Sequence, residues 1–203
     1  MTKTVEFILD LGAPNGYLAW WPLKELVKRA GAQLVVTPVF LGGMHKITGN
    51  SPPMMRDAAV KGKVPYAALE FGRFLDLHGM DKFRMHPALP FNTIMLQRVL
   101  VAADDEAQRQ ALVDHLQAAV WERNIDCSEV NVVAEELASG GFDAKTLLER
   151  TQDESVKAKL AENTSHAVER GAFGIPTFFV GDEMWFGKER LEQLERYLNG
   201  GKP

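Results

Sequence analysis

The chain has 203 residues, 46% hydrophobic and 25% charged, with a net charge of −4 and acidic and basic side chains interleaved along its length. This balance suits a soluble globular protein with one sizeable core; it excludes a disordered chain, and the lack of a basic block speaks against nucleic acid or an anionic membrane as partner. No apolar run approaches the roughly 18 residues of a spanning helix, and the single cysteine, Cys127, leaves no internal disulfide and no C-x-x-C pair.

Residues 4–10 are β-rich and read as a strand. A polar turn, Asp10 to Gly16, leads into a helix over 14–30, with Pro14 in its first turn and Gly31 as its stop. Its start offers unpaired N–H groups near Asn15 and Gly16, a place that favours an anion. Residues 33–40 read as a second strand, which Pro38 pushes to an edge or a bend. Strand, helix and strand form a parallel, right-handed unit. Residues 41–56 read as a loop, with Gly42-Gly43, Gly49-Asn50 and Pro52-Pro53 as breakers.

From about Asp57 to Arg170 the periodicity is helical throughout. One helix centres on Tyr66 to Leu77, the next on Ile94 to Ala103, a third on Leu112 to Val120, and a short one on Leu147-Leu148. Thr151 and Glu154 read as a capping box that opens a helix ending at Gly171. Two strands, Thr177–Val180 and Glu183–Phe186, flank a Gly181-Asp182 turn, and a helix from Lys188 to Leu198 closes the chain.

The order is β-α-β, a helical block, then α-β-β-α. The expected fold class is α/β, a thioredoxin-like fold with an all-helical insertion between the second strand and the strand led by Pro176. Residues 1–56 and 157–203 would form the thioredoxin-like domain and 57–156 the insertion. Pro176 falls where that fold places a cis proline facing the start of the first helix. A cis bond there exposes the Ile175 backbone to an extended peptide; the alternative is an ordinary trans proline opening a strand.

Several stretches carry a specific resemblance: Asp10-x-x-x-Pro14-x-x-Tyr17-Leu18-Ala19, Leu41-Gly42-Gly43-Met44 through Gly49-Asn50-x-Pro52-Pro53, Arg56-Asp57, Pro90-Phe91-Asn92-Thr93, and Phe173-Gly174-Ile175-Pro176-Thr177 with Gly181 to Gly187. In order and spacing they resemble the 2-hydroxychromene-2-carboxylate isomerases and the related kappa-class glutathione transferases. The resemblance implies glutathione as cofactor, a small aromatic carboxylic acid as substrate and a homodimer; the short apolar runs, the N-terminal MTKTVEF without a signal-peptide core and the single cysteine point to a cytoplasmic protein, an organelle matrix being the other option.

The family's catalytic serine corresponds to Ala13 here, and the fourth position of the ancestral C-x-x-C box is Gly16, so neither position keeps a hydroxyl or thiol. Asn15 is the neighbouring candidate to support a thiolate, or a plain turn residue. The resemblance places Asn50, Ile175, Pro176, Phe186, Gly187, Lys188 and Glu189 around glutathione. Lys188 and Glu189 depart from the family's small polar residue followed by Asp; Glu189 is alternatively a helix-start carboxylate. His45, Lys46, Arg56 and Asn92 are candidates for the substrate's carboxylate and hydroxyl, or solvated loop groups. Histidine and cysteine spacings match no metal site.

Overall fold

The computed structural model describes residues 2–203. Alternation along the first strand, β1 (Thr4–Leu9), sends Val5, Phe7 and Leu9 to one face and Ile8 to the other, all fully buried. It sits at the centre of a four-stranded sheet of order β2-β1-β3-β4, where β2 is Gln33–Pro38, β3 is Thr177–Val180 and β4 is Glu183–Phe186. β1 pairs parallel with β2 and antiparallel with β3, in a register that sets Phe7 opposite both Val36 and Phe178. β3 pairs antiparallel with β4, Phe178 opposite Trp185.

The two sheet faces carry two apolar clusters. On the Phe7 face the ring lies between Trp20 of α1 (Pro14–Arg29) and Phe178, with centroids 5.8 and 5.4 Å away. This cluster runs on through α5 (Ile94–Val101), α6 (Glu106–Trp121), α7 (Val130–Ser139) and α8 (Ala144–Arg150) and reaches α10 (Leu191–Leu198), so the helical block shares one core with the sheet. The opposite face is smaller: Ile8 and Phe179 pack with Ala13, Val39, Ala172, Ile175, Met44 of α2 (Leu41–Thr48) and Ala167 of α9 (Glu154–Glu169). A short α3 (Pro53–Arg56) and a longer α4 (Lys63–Leu77) follow α2, and a 3-10 turn over Lys188–Arg190 precedes α10.

β2 is an edge strand that ends at Pro38, as its sequence suggests. Its outer groups are occupied by side chains of α6: Val36 N–H donates to Glu106 Oε1 (2.8 Å), and Gln110 Nε2 donates to the Leu34 carbonyl (2.8 Å). An edge covered in this way is closed to pairing with a second chain. The Ile175–Pro176 bond is cis, as expected, and Leu89–Pro90 is a second cis bond.

Three expectations need correction. Residues 41–56 hold α2 and α3 rather than a loop. Gly42 and Gly43 act there not as breakers but as clearance for a ring: a Cβ at Gly42 would lie 2.9 Å from Phe40 Cζ, and one at Gly43 3.1 Å from Phe40 Cδ1. The block from 57 to 170 is not continuous helix. Residues 78–93 form an irregular stretch around buried Met80, Phe83 and His86, tied down by Arg84 N–H to the Trp121 carbonyl (2.5 Å) and His86 Nε2 to the Ile125 carbonyl (3.0 Å). The Thr151–Glu154 capping box does not form. Thr151 closes α8 by donating to the Leu148 carbonyl (2.6 Å), and Asp153 precedes α9 without a side-chain cap bond.

Candidate active site

β1 runs into the start of α1 through Asp10, Leu11 and Gly12, and Ala13 is the N-cap, extended at φ −97° and ψ 110° with no side-chain bond. Of the four N–H groups that a helix start leaves over, Pro14 has none. Gly16 N–H is spent on the Ala13 carbonyl (2.8 Å), and Tyr17 N–H reaches the same oxygen at 3.4 Å. This corrects the expectation of two free donors: only Asn15 N–H has no partner among the described residues. The Ala13 methyl is 5% exposed, within the smaller apolar cluster.

The cis-proline turn faces this helix start. A Cβ on Gly16 would stand 3.3 Å from Ile175 Cγ2 and 3.1 Å from Leu9 Cδ1, so glycine lets the two segments meet. The groups around Ile175 are taken: Gly174 C=O accepts from Thr177 Oγ1 (2.7 Å), and Pro176 C=O accepts from Gly187 N–H (3.0 Å). The N–H and C=O of Ile175 itself have no partner among the described residues, although the residue is 7% exposed. A backbone pair so placed is open to the main chain of a ligand.

At one end of the turn, Phe186 lies against Gly174, where a Cβ would be 3.0 Å from Phe186 Cε2, and tilts onto Phe173 with centroids 4.4 Å apart. Gly187 has φ +103°, the region that favours glycine, and a Cβ there would be 2.8 Å from Glu189 Oε2. Lys188 points inward at 3% exposure. Its ammonium pairs with Glu70 of α4 (2.8 Å) and with Glu189, and lies 4.9 Å from the centre of the Phe74 ring. The lysine is therefore an internal tie between α4 and the end of β4, and one Glu189 oxygen is already engaged. The carboxylates of Glu70 and Glu189 are 32% and 48% exposed, so both stay hydrated if the lysine is removed. Lys188→Met is accordingly expected to cost only about 1–2 kcal/mol rather than the 3–5 of a fully buried broken pair. Urea unfolding checks this; a loss above about 3 kcal/mol would show that the charge cluster is needed for folding.

The other expected residues divide. Asn50 bridges to the turn, donating through Nδ2 to the Phe173 carbonyl (2.7 Å), while its Oδ1 accepts from Ser51 N–H (2.9 Å). His45 and Arg56 come together: burial first, and then the Arg56 charge, lower the His45 pKa. Arg56 also pairs with Asp57 (2.9 Å), as does Lys63 (2.9 Å), which holds the Asp57 carboxyl well below the usual range. Lys46 is exposed near the end of α2. Asn92 is committed to local structure, its Oδ1 accepting from Ile94 N–H (2.9 Å) at the start of α5.

Asp10 was missed as a site residue. It is 1% exposed and accepts from Gly12 N–H (2.8 Å), Leu41 N–H (2.7 Å), Thr93 Oγ1 (2.7 Å) and Gln97 Nε2 (3.2 Å). Burial pushes its pKa up, opposed by those four donors. The signal for it was a carboxylate directly after Phe7, Ile8 and Leu9, the apolar end of β1.

Cys127 is 4% exposed, and burial, then the nearby Asp126 charge, push its thiol up to about 12. Alkylation by iodoacetamide at neutral pH should proceed only after unfolding; rapid labelling of the folded chain would contradict this placement. No group of three or more potential metal ligands occurs among the described residues. Two hollows, about 590 Å³ beside Tyr17, Trp21 and His78 and about 300 Å³ beside Glu6, Arg109 and His166, include none of the residues expected at the site.

Comparison with known proteins places this geometry. Residues 4–199 match the family model of the DSBA-like thioredoxin domain. The chain is similar to 2-hydroxychromene-2-carboxylate isomerase of Pseudomonas putida, 30% identical over 94% of this chain and 92% of that one. It is also similar to glutathione S-transferase kappa 1 of Rattus norvegicus, 29% identical over 98% of this chain and 92% of that one. Among solved structures, a 2-hydroxychromene-2-carboxylate isomerase superposes with a TM-score of 0.83 at 28% identity, covering 97% of this chain and 94% of that one.

Proposed function

The chain belongs to the DSBA-like thioredoxin family, in the group of the 2-hydroxychromene-2-carboxylate isomerases, and from that premise we propose that it is a glutathione-dependent isomerase of a small aromatic carboxylic acid. The observation that carries this reading is the open backbone pair of Ile175, set against the start of α1 where Asn15 N–H is also unengaged. An extended thiol peptide suits that arrangement: Ile175 would hold its main chain, with Ala13 and Asn15 as the residues on the side of its sulfur. Glutathione held there would supply a nucleophilic thiol for reversible addition to a conjugated double bond, which leaves a single bond free to rotate until elimination restores the double bond and returns the thiol.

The chain's own groups then have separate tasks. Asn15 N–H and the α1 dipole support negative charge on sulfur, worth about 0.3–1 kcal/mol at an exposed site and up to about 2 when partly buried. Gly187 to Glu189 would hold the γ-glutamyl end, with the Glu189 oxygen not used by Lys188 left to accept from its ammonium. Asn50 holds the turn in place and lines the peptide path. Lys46 and Arg56 form the cationic rim that receives the substrate carboxylate, and His45 beside Arg56, its pKa lowered by burial and by that charge, is the group placed to carry a proton. Asn92, just before α5, has its Oδ1 engaged by Ile94 N–H and would offer its amide Nδ2 to the substrate's hydroxyl. The protein works in the cytoplasm as a homodimer.

Two other readings have support. The kappa-class relative favours a transferase that consumes glutathione on the same frame. Ala13 favours a protein that binds glutathione without turnover. Incubation with glutathione and 2-hydroxychromene-2-carboxylate separates the three: isomer formation with glutathione recovered is expected. A stable conjugate would point to the transferase, and binding without conversion to the binding protein.

A further inference from the structure

Three helices begin around one carboxylate. Gly12 N–H, which leads into α1, and Leu41 N–H, the first of α2, both donate to Asp10. So does the hydroxyl of Thr93, the N-cap of α5, together with Gln97 one turn further along. Gly12 is needed for this closeness, since a Cβ there would lie 2.8 Å from Thr93 Cγ2 and 3.3 Å from Asp10 Oδ1. Each helix start carries a partial positive charge of about half a unit, so three of them together attract an anion. Every partner of the carboxylate can donate, which suits its ionised form.

We propose that Asp10 is a positioning residue: it is the resident anion of the three helix starts, holds them in register against Ile175, and by its negative charge limits how far a thiol at the Ala13 position is acidified. The proposal rests on the reading of that position as a thiol site and goes beyond it. A thiol that must add and later leave is served by moderate acidity, because nucleophilicity falls as the thiol pKa falls. The apolar surroundings of Ala13 contribute no charge. The titratable and charged side chains on the elements packed around both positions are Glu6 on β1, Tyr17, Lys24, Glu25, Lys28 and Arg29 on α1, His45 and Lys46 on α2, Arg98 on α5, and Glu154, Lys157, Lys159, Glu162, His166 and Glu169 on α9. None is hydrogen-bonded to Asp10, and Glu6 is paired with Arg170.

The test needs no glutathione. Ala13→Cys places a thiol at the site, and its ionisation is followed by ultraviolet thiolate absorbance against pH; Cys127, pushed up to about 12, does not interfere. With Asp10 present the midpoint should stay above about 6, in the upper part of the range of about 3.5–7.5 known for helix starts. Adding Asp10→Asn should lower it by about one unit or more. An unchanged or raised midpoint, with only the melting temperature reduced, would make Asp10 merely structural and overturn the proposal. Should the double variant not fold, the single variant decides: a midpoint below about 6 shows the helix starts acting unopposed and overturns it equally. A calorimetric titration of the unsubstituted chain with glutathione reports separately on the proposed function, so the two can fail independently.

Discussion

Replacing Trp121 by alanine is expected to remove about 3–5 kcal/mol from the unfolding free energy. The side chain is fully buried, stacks on Phe83 with centroids 5.9 Å apart and 14° between planes, and meets Phe91 at 6.0 Å. Its indole N–H also donates to the Leu11 carbonyl (2.9 Å), inside the turn that leads to Ala13. The loss is a large part of the roughly 5–15 kcal/mol that holds a domain together, so the variant should be marginal. Trp121→Phe keeps most of the ring and gives up the bond to Leu11, a loss of about 1–3 kcal/mol for an orphaned carbonyl. Urea unfolding of both variants measures the difference. A cost below about 1 kcal/mol for Trp121→Ala would mean that the helical block and the sheet do not share a core.

The second large effect is a gain. Ala13→Ser should raise turnover with glutathione by about 10- to 100-fold, because a hydroxyl beside the sulfur adds a hydrogen bond to a charged group worth about 1.5–3 kcal/mol. The same substitution puts a capping side chain at the start of α1, where alanine makes no cap bond, and should stabilise the fold by about 0.5–2 kcal/mol. One hydroxyl can do both, since it accepts from the helix N–H and donates to the sulfur. The two effects are read separately, by kcat/KM and by urea midpoint. Added stability with unchanged turnover would place the sulfur away from Ala13.

Much of the frame was legible from local chemistry. The apolar run from Val5 to Leu9, the Pro14 helix start, the Gly181-Asp182 hairpin and the proline before β3 each carry their own physical signature, and each stands where expected. What was not legible depended on distant partners. The α2 helix is capped by Asp10 and braced by Thr164, whose hydroxyl accepts from Phe40 N–H (3.0 Å), and neither neighbour is visible from the Gly42-Gly43 pair. Thr151 and Glu154 have capping spacing, but α8 ends on Thr151 and takes its hydroxyl. Lys188 read as a residue beside glutathione that departs from the family's small polar one, and only the fold brings Glu70 and Phe74 of α4 over it. For the same reason Asp10 registered as part of a resemblance but not as the point where three helices meet.

The Ile175 backbone and the start of α1 are proposed as a platform for a thiol peptide. Isothermal calorimetry of the unsubstituted chain with glutathione tests it most directly, because binding does not depend on what Ala13 does to the chemistry. Saturable binding in about the micromolar to millimolar range is expected, with one molecule per chain. A flat titration at millimolar glutathione would contradict it.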